Sequence, residues 1–287
     1  MKKFISFMLC CLLLFSSSLP ALAATNAPAT GPEIQRMTIN EYEALEQLSK
    51  ESDSALLQKG YSSDEISQIK NYRTVYAEHI TSLQSLPAEV LAKHGYNAAQ
   101  ISAIQNFNGS EEQMRLASAS FELSSQTASF TYPDSGGRTS GRLAYVWSWL
   151  GIPAAKMRDM VAVSWNGWIL TREGSDIAYY SVSTGNYYGT FSASYNAPTN
   201  NAWNGAGHKF SVSKSDNLYY AKNGGGFFEV ECDGLYQKDF YYYIEYGHAT
   251  FSLDISFGVS VPGGAAGSIS FSTGVNVVGS DSGQHRW

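Results

Sequence analysis

The sequence predicts an α+β protein in two parts, a small N-terminal helical-hairpin region followed by an antiparallel β-sandwich. Three observations carry that expectation. Helical segments with capping signals recur at a spacing of 35 residues between Leu56 and Phe107. From Phe121 onward the composition turns aromatic, with all six Trp, while Gly, Ser, Thr and Asn fill most of the remainder. Near the C-terminus, Ala249, Phe251, Leu253, Ile255, Phe257, Val259 and Val261 alternate with Thr250, Ser252, Asp254, Ser256, Gly258 and Ser260. That period of two is the pattern of a strand with one apolar and one polar face.

The chain opens with Lys2 and Lys3, an apolar run from Phe4 to Phe15, and the small-x-small triplet Ala21-Leu22-Ala23. A charged start, a short apolar stretch and an Ala-x-Ala end read as a secretory signal peptide over residues 1–23. The run is shorter than the roughly 20 residues a membrane-spanning helix needs. Residues 24–32, rich in Ala, Thr and Pro, read as a flexible leader. Cleavage would remove Lys2 and Lys3, taking the formal charge from −6 to −8. An acidic chain is a poor partner for nucleic acid or an anionic membrane surface. Cys10 and Cys11 would leave with the signal, so Cys232 alone remains and no intrachain disulfide can form. A core must then hold the fold, and an exported chain without disulfides suits a bacterium better than an animal secretory pathway.

Residues 33–117 read as the helical region. Asn40 with Glu43, Ser62 with Glu65 and Asn97 with Gln100 are capping-box pairs. Sliding the chain by 35 residues sets Leu56-Leu57-Gln58-Lys59-Gly60-Tyr61 over Leu91-Ala92-Lys93-His94-Gly95-Tyr96, and continues with Ile66 on Ile101 and Asn71 on Asn106. The repeated unit is a helix, a Gly-Tyr turn and a capped helix. Two copies fall short of the three or so that a free-standing solenoid needs, so the expectation is a small bundle or stalk.

Residues 121–287 read as the sandwich. Strand-like segments run over Leu143–Trp149, Asp159–Trp165, Trp168–Thr171, Ile177–Val182, Tyr187–Tyr195, His208–Val212, Leu218–Ala221, Phe227–Cys232 and Asp239–Tyr246. Turn signals fall at Asn166-Gly167, Gly185-Asn186, Asn204-Gly205, Asn223-Gly224 and Asp233-Gly234. The stretch 249–278, broken at Pro262-Gly263-Gly264, reads as one long final hairpin. Many short strands with Gly-rich turns are the signature of a sandwich or barrel. Gly-Tyr-capped helical hairpins followed by a Trp147-Ser148-Trp149 β-domain resemble uncharacterised secreted proteins of Gram-positive bacteria. The resemblance implies a compartment and an architecture, and no activity.

The chemistry-bearing residues are sparse. His79, His94, His208, His248 and His285 show no metal-ligand spacing, and no cofactor is expected. Glu229 and Glu231 share one strand face, as an acid–base pair of a hydrolase would, although the same pattern is that of a solvated strand face. Cys232 falls on the opposite parity and reads as a small inward hydrophobe. Nucleophile elbow, Walker loop and dinucleotide fingerprint are all absent from the sequence, and nothing argues for an enzyme.

The aromatics are the strongest signal. Trp147 and Trp149 share a parity, Trp165 and Trp168 flank a turn, and Tyr187 and Tyr242 sit in runs that place rings on both strand faces. Exposed Tyr and Trp suit stacking on sugars or anchoring a partner; the bland alternative is that such pairs only stabilise the sheet. These six are the candidate binding residues. The expected function is that of a secreted, non-catalytic binding or interaction protein whose partner is a glycan, a cell-wall polymer or a protein surface. Two alternatives stay open. The 249–278 hairpin has the length and alternation of a membrane-inserting pore hairpin, and the Glu229/Glu231 face could serve a secreted hydrolase.

Overall fold

Seven helices occupy the N-terminal part of the computed structural model, which describes residues 37–59, 61–131, 138–200, 204–232, 239–249, 255–260, 268–272 and 275–286. They are α1 (Glu41–Ser49), α2 (Asp53–Gln58), α3 (Ser63–Lys70), α4 (Tyr72–Leu83), α5 (Ala88–His94), α6 (Ala98–Gln105) and α7 (Glu111–Ala117). The repeat is real: α2–α3 and α5–α6 start 35 residues apart, each second helix opening on a full capping box at Ser62 or Asn97. Tyr61 and Tyr96 are buried at equivalent turns, their N–H groups donating to the Leu56 and Leu91 carbonyls. Asn40 caps α1 by accepting from the Glu43 N–H at 3.1 Å. The predicted signal and leader, and the turns at Asp233-Gly234 and Pro262-Gly263-Gly264, lie outside the described residues.

Among the described residues, fourteen strands follow the antiparallel plan. One sheet has the order β1 (Met37–Asn40), β2 (Ser120–Thr131), β3 (Thr139–Leu150), β10 (Tyr219–Cys232), β5 (Ile169–Ser181), β6 (Tyr187–Phe191), with β9 (Ser213–Lys214) also on β10. The other runs β14 (Val275–Arg286), β11 (Asp239–Ala249), β4 (Arg158–Trp165), β8 (Gly205–Ser211), β7 (Ser194–Asn196). On one side β14 approaches β1 and β2. On the other, only Ser192 and Ala193 separate β6 from β7, so the chain crosses between the two sheet edges there. We call this side the rim.

Several expectations need correction. The helical region does not stand apart, because residues 37–40 form a strand of the first sheet, with Met37 opposite Leu123 and Asn40 opposite Ser120. Residues Pro32–Trp287 form one compact unit. The segments read as Trp168–Thr171 and Ile177–Val182 belong to one strand, β5, and Asn223-Gly224 is no turn but the middle of β10. Asn204-Gly205 marks the start of β8. The long final hairpin is divided three ways. Ala249 ends β11, β12 (Phe257–Ser260) pairs with β13 (Ser268–Phe271), and β14 returns along β11. The apolar parity of β12 is buried against the outer face of β4, where Ile255, Phe257 and Val259 pack on Met160 and Ala162.

The intersheet core explains the Gly triplet. Along β3 burial alternates without a break, and the inward parity carries Leu143, Tyr145, Trp147 and Trp149. Gly224 lies opposite Trp147 and Gly226 opposite Tyr145. A Cβ on Gly224 would come within 2.8 Å of the Trp147 ring, and one on Gly226 within 2.6 Å of the Tyr145 hydroxyl and 2.7 Å of the Gly174 carbonyl. The glycines therefore leave the room that the inward rings occupy, as strand glycines do where another group approaches closely. Gly226→Ala is expected to overpack this site and destabilise the fold by about 1–3 kcal/mol, read as a lowered denaturant midpoint at an unchanged slope.

A buried ionic cluster joins the helices to the sandwich. Glu41 opens α1, Asp159 lies on β4 and His248 on β11, and all three are at most 1% exposed. His248 donates Nδ1–H to Asp159 at 2.9 Å and Nε2–H to Glu41 at 3.3 Å. Glu41 also accepts from the Tyr76 hydroxyl and the Ala154 N–H at 2.9 Å, and from the Ala155 N–H at 3.0 Å. Asp159 accepts from the Tyr246 hydroxyl at 2.5 Å and the Ala249 N–H at 3.2 Å. Burial alone would lower the His248 pKa, but Asp159 and then Glu41 raise it to about 10. Burial alone would raise the Glu41 carboxyl; His248 and the two backbone N–H groups more than offset this and hold it below its usual value.

The signs of these shifts set a pH window. A depressed carboxyl stabilises above about pH 4.5 and loses that contribution as pH falls through its folded value; a raised imidazole stabilises fully below about pH 6.5 and loses it as pH climbs to about 10. Stability should therefore fall on the acid side of pH 4.5 and across pH 6.5–10. Removing one partner of a buried ion pair costs about 3–5 kcal/mol, so Glu41→Ala should lose that much at pH 6. A denaturant series over pH 3–10, with wild type and Glu41→Ala in parallel, reads both the window and the loss.

Candidate binding site

Five of the six candidate binding residues lie in the core and cannot offer a ring to a ligand. Trp149 and Trp165 are fully buried, Trp168 and Tyr242 are 1% exposed and Trp147 is 3% exposed. Trp147 stacks on Phe210 with centroids 5.0 Å apart and planes 6° from parallel. Trp149 donates to the Tyr246 hydroxyl at 3.3 Å, Trp165 to the Trp168 carbonyl at 2.9 Å, and Tyr242 shares a hydrogen bond with Ser125 at 3.2 Å. The parity read from the sequence was right and its direction was not. Two sheets packed face to face must fill a layer about 10 Å thick, and the largest rings fill it.

Tyr187 is the exception, 41% exposed on β6. Its neighbours were missed by the sequence reading. A bulge where Tyr179 and Tyr180 of β5 meet Gly189 and Tyr187 of β6 leaves Tyr188 without an opposite residue. Tyr187 thereby sits beside Tyr180, ring centroids 5.8 Å apart. Tyr188 joins the other side. There it stacks on Tyr219 at 3.9 Å and 20°, and on Phe191 at 5.9 Å and 23°; Phe191 meets the edge of buried Tyr179 at 5.5 Å. Lys214 places its ammonium 4.2 Å from the Phe191 centroid and 5.0 Å from that of Tyr179. Tyr188 is 48% exposed and Phe191 39%.

The ladder Tyr219–Tyr188–Phe191 with Lys214 is held by a strained turn. Between β9 and β10 the chain runs through Ser215, Asp216 and Asn217, at φ of 50°, 53° and 66°. In the left-handed region Ser215 costs roughly 1–2 kcal/mol, while Asp216 and Asn217 are residue types that adopt it more readily. The turn sets Lys214 opposite Tyr219 and leaves Leu218 protruding beside it. Strain kept next to exposed rings is a pointer to a site whose geometry is used.

No family model matches the chain, and no curated protein sequence does. Among solved structures, the collagen-binding domain of a Staphylococcus aureus adhesin aligns over 55% of this chain and 100% of its own, at 9% identity and a TM-score of 0.26. The collagen-binding domain of the Erysipelothrix rhusiopathiae surface protein RspB aligns over 61% and 68%, at 8% identity and a TM-score of 0.26. AvmM, which catalyses macrocyclisation in alchivemycin A biosynthesis, aligns over 57% and 87%, at 10% identity and a TM-score of 0.28. Overlaps this low leave function to be read from the chain's own residues.

The remaining candidates fall in place around the sheets. Glu229 and Glu231 are about one-third exposed; Glu229 lies 3.9 Å from Arg142 and 4.0 Å from Arg172, and Glu231 3.5 Å from Arg138. Cys232 is buried on the inward parity, as its alternation implied. His79 donates to the Ile152 carbonyl, while His94 donates to the Val182 carbonyl and faces the Tyr220 hydroxyl. Burial pushes both imidazoles down to about 4, so both are neutral. Among the described residues no group of three or more His, Cys, Asp or Glu is arranged to hold a metal ion, and no helix is long and apolar enough to cross a membrane.

Proposed function

We propose that this is an exported, non-catalytic binding protein that engages a glycan, a cell-wall polymer or a protein through the aromatic ladder on the rim. The observation that carries the reading is the stack Tyr219–Tyr188–Phe191 with Lys214, exposed beside a strained turn. Stacked rings hold one another in place and leave ring edges and tyrosine hydroxyls at the surface, an amphipathic anchor of the kind that recurs at interfaces. Export is supported by Lys2-Lys3, the apolar run after them and Ala21-Leu22-Ala23.

Co-sedimentation of residues 24–287 with insoluble cell-wall polymer in one tube and liposomes in another tests the reading. Pelleting with the wall is expected, weakened about tenfold or more by Tyr188→Ala, since a hot-spot ring contributes about 2 kcal/mol or more. The same substitution should cost about 1–3 kcal/mol of stability, the worth of its two aromatic pairs, so a melting curve separates lost binding from lost fold. Wall binding indifferent to Tyr188→Ala would remove the ladder from the reading, and pelleting with liposomes alone would favour the membrane-acting alternative.

A further inference from the structure

The ladder stands on an open sheet edge. Among the described residues β6 closes the order of the first sheet and pairs with β5 alone. The other edges of the two large sheets are covered or shorter: β1 meets β14, and β7 has three residues. β6 is Tyr187-Tyr188-Gly189-Thr190-Phe191, with no charge and no proline. Native proteins blunt an exposed edge with charge, proline or a bulge, because its unpaired N–H and C=O groups are a template for another strand. Here the one bulge sits at Tyr188. Gly189, Thr190 and Phe191 keep a regular register opposite Tyr179, Ala178 and Ile177.

The side chains on this edge divide by face. Residues directly opposite one another share a face, so Gly189 and Phe191 stand with the inward Tyr179 and Ile177. Tyr187 stands with Tyr180 on the outer side. Tyr188 stacks on both Tyr219 and Phe191, and Phe191 carries the Lys214 ammonium over its ring. The inner side therefore offers ring edges and a hydroxyl rather than an open ring face, and a sugar needs such a face to stack on. Among the described residues the Lys214 ammonium makes ring contacts and no ion pair, not even with Asp216 in the adjoining turn. Beside it Leu218 is 62% exposed.

We propose that β6 takes up an extended segment of a protein partner as an added strand, with an acidic side chain of that segment seated on Lys214. A second extended backbone matches the free row of N–H and C=O groups along β6, and this pairing supplies affinity independent of sequence. Specificity comes from the two faces. Alternate side chains of the added strand fall beside Tyr188 and Phe191 on the inner side, within reach of Lys214, and beside Tyr187 and Thr190 on the outer side. The partner segment thus carries an Asp or Glu and an apolar residue two positions apart. This inference rests on the ladder being the binding surface and narrows its partner to a polypeptide.

A phage-displayed library of random seven-residue peptides, panned over the immobilised protein, tests it, with enriched peptides then synthesised and titrated by calorimetry. Enriched sequences should carry Asp or Glu with an apolar residue two positions away. Their affinity should fall about tenfold or more in Lys214→Glu, the loss expected for a hydrogen bond to a charged group, and likewise in Tyr188→Ala. Panning over Lys214→Glu should select Lys or Arg in place of the acid, a swap that a merely structural lysine would not produce. N-methylation of every second peptide amide should abolish binding in one phase and leave it intact in the other. No enrichment overturns the proposal, as does a spacing of three or four between acid and apolar residue. Indifference to both methylation phases, or an acid preference that survives Lys214→Glu, overturns it too. Wall pelleting that needs Tyr188 while no peptide is enriched refutes strand addition and leaves the ladder reading standing.

Discussion

The imidazolium of His248, held between Glu41 and Asp159, is the interaction on which the architecture depends. It binds the first residue of the first helix to two adjacent strands of one sheet, β4 and β11, with all three side chains out of water. Buried charges are tolerated only where their partners and remaining lone pairs are satisfied, and here Tyr76, Tyr246 and the backbone of Ala154, Ala155 and Ala249 complete the set. The helices are therefore not a spacer. With Tyr42, Tyr76, Leu91 and Ile104 they share a core with Ile152 and Tyr220 of the β-part, and the strand at 37–40 extends the first sheet.

The aromatic richness of the second half divides between two uses. Most of the large rings form the layer between the sheets, where Trp147, Trp149, Trp165 and Tyr246 touch one another or neighbouring rings. A minority sits on the rim, where the two sheets part at β6 and β7. There the same inward parity of β5 that carries Ile177 and Tyr179 into the core runs out from under its partner sheet. Side chains on that parity become partly exposed without changing face, which is how Glu173 comes to stand at a surface with a buried His behind it. The exposed rings of the rim are thus continuous with the core, and they pack on the rings beneath them.

Much of the fold was legible. The 35-residue repeat, both full capping boxes, the antiparallel plan and the inward parity of Cys232 all follow from spacing, because caps and alternation are local. The candidate site was far less legible. Trp147 and Trp149 could be placed on a common face but not assigned to the inside, since alternation names two faces and does not orient them. Tyr188 was one of many tyrosine pairs; only a bulge in the β5–β6 register turns it away from Tyr187 and onto Tyr219. The signal that could have oriented β3 was Gly224-Gly225-Gly226, whose first glycine belongs to the Asn223-Gly224 turn signal. Three glycines bordered by Lys222-Asn223 and by the alternating Phe228, Val230 and Cys232 can equally be a strand that makes room for rings opposite.

By itself the sequence determined the helical repeat, the β-class of the second half and its lack of disulfides, because these rest on residue types and short-range periodicity. Tertiary structure alone decided which aromatics are core and which are rim, that residues 37–40 join a sheet, and that Glu41, Asp159 and His248 meet. Those outcomes depend on pairings between residues up to 207 positions apart. No local spacing encodes such a pairing; it follows from how two sheets and a helical layer divide a limited apolar volume between them.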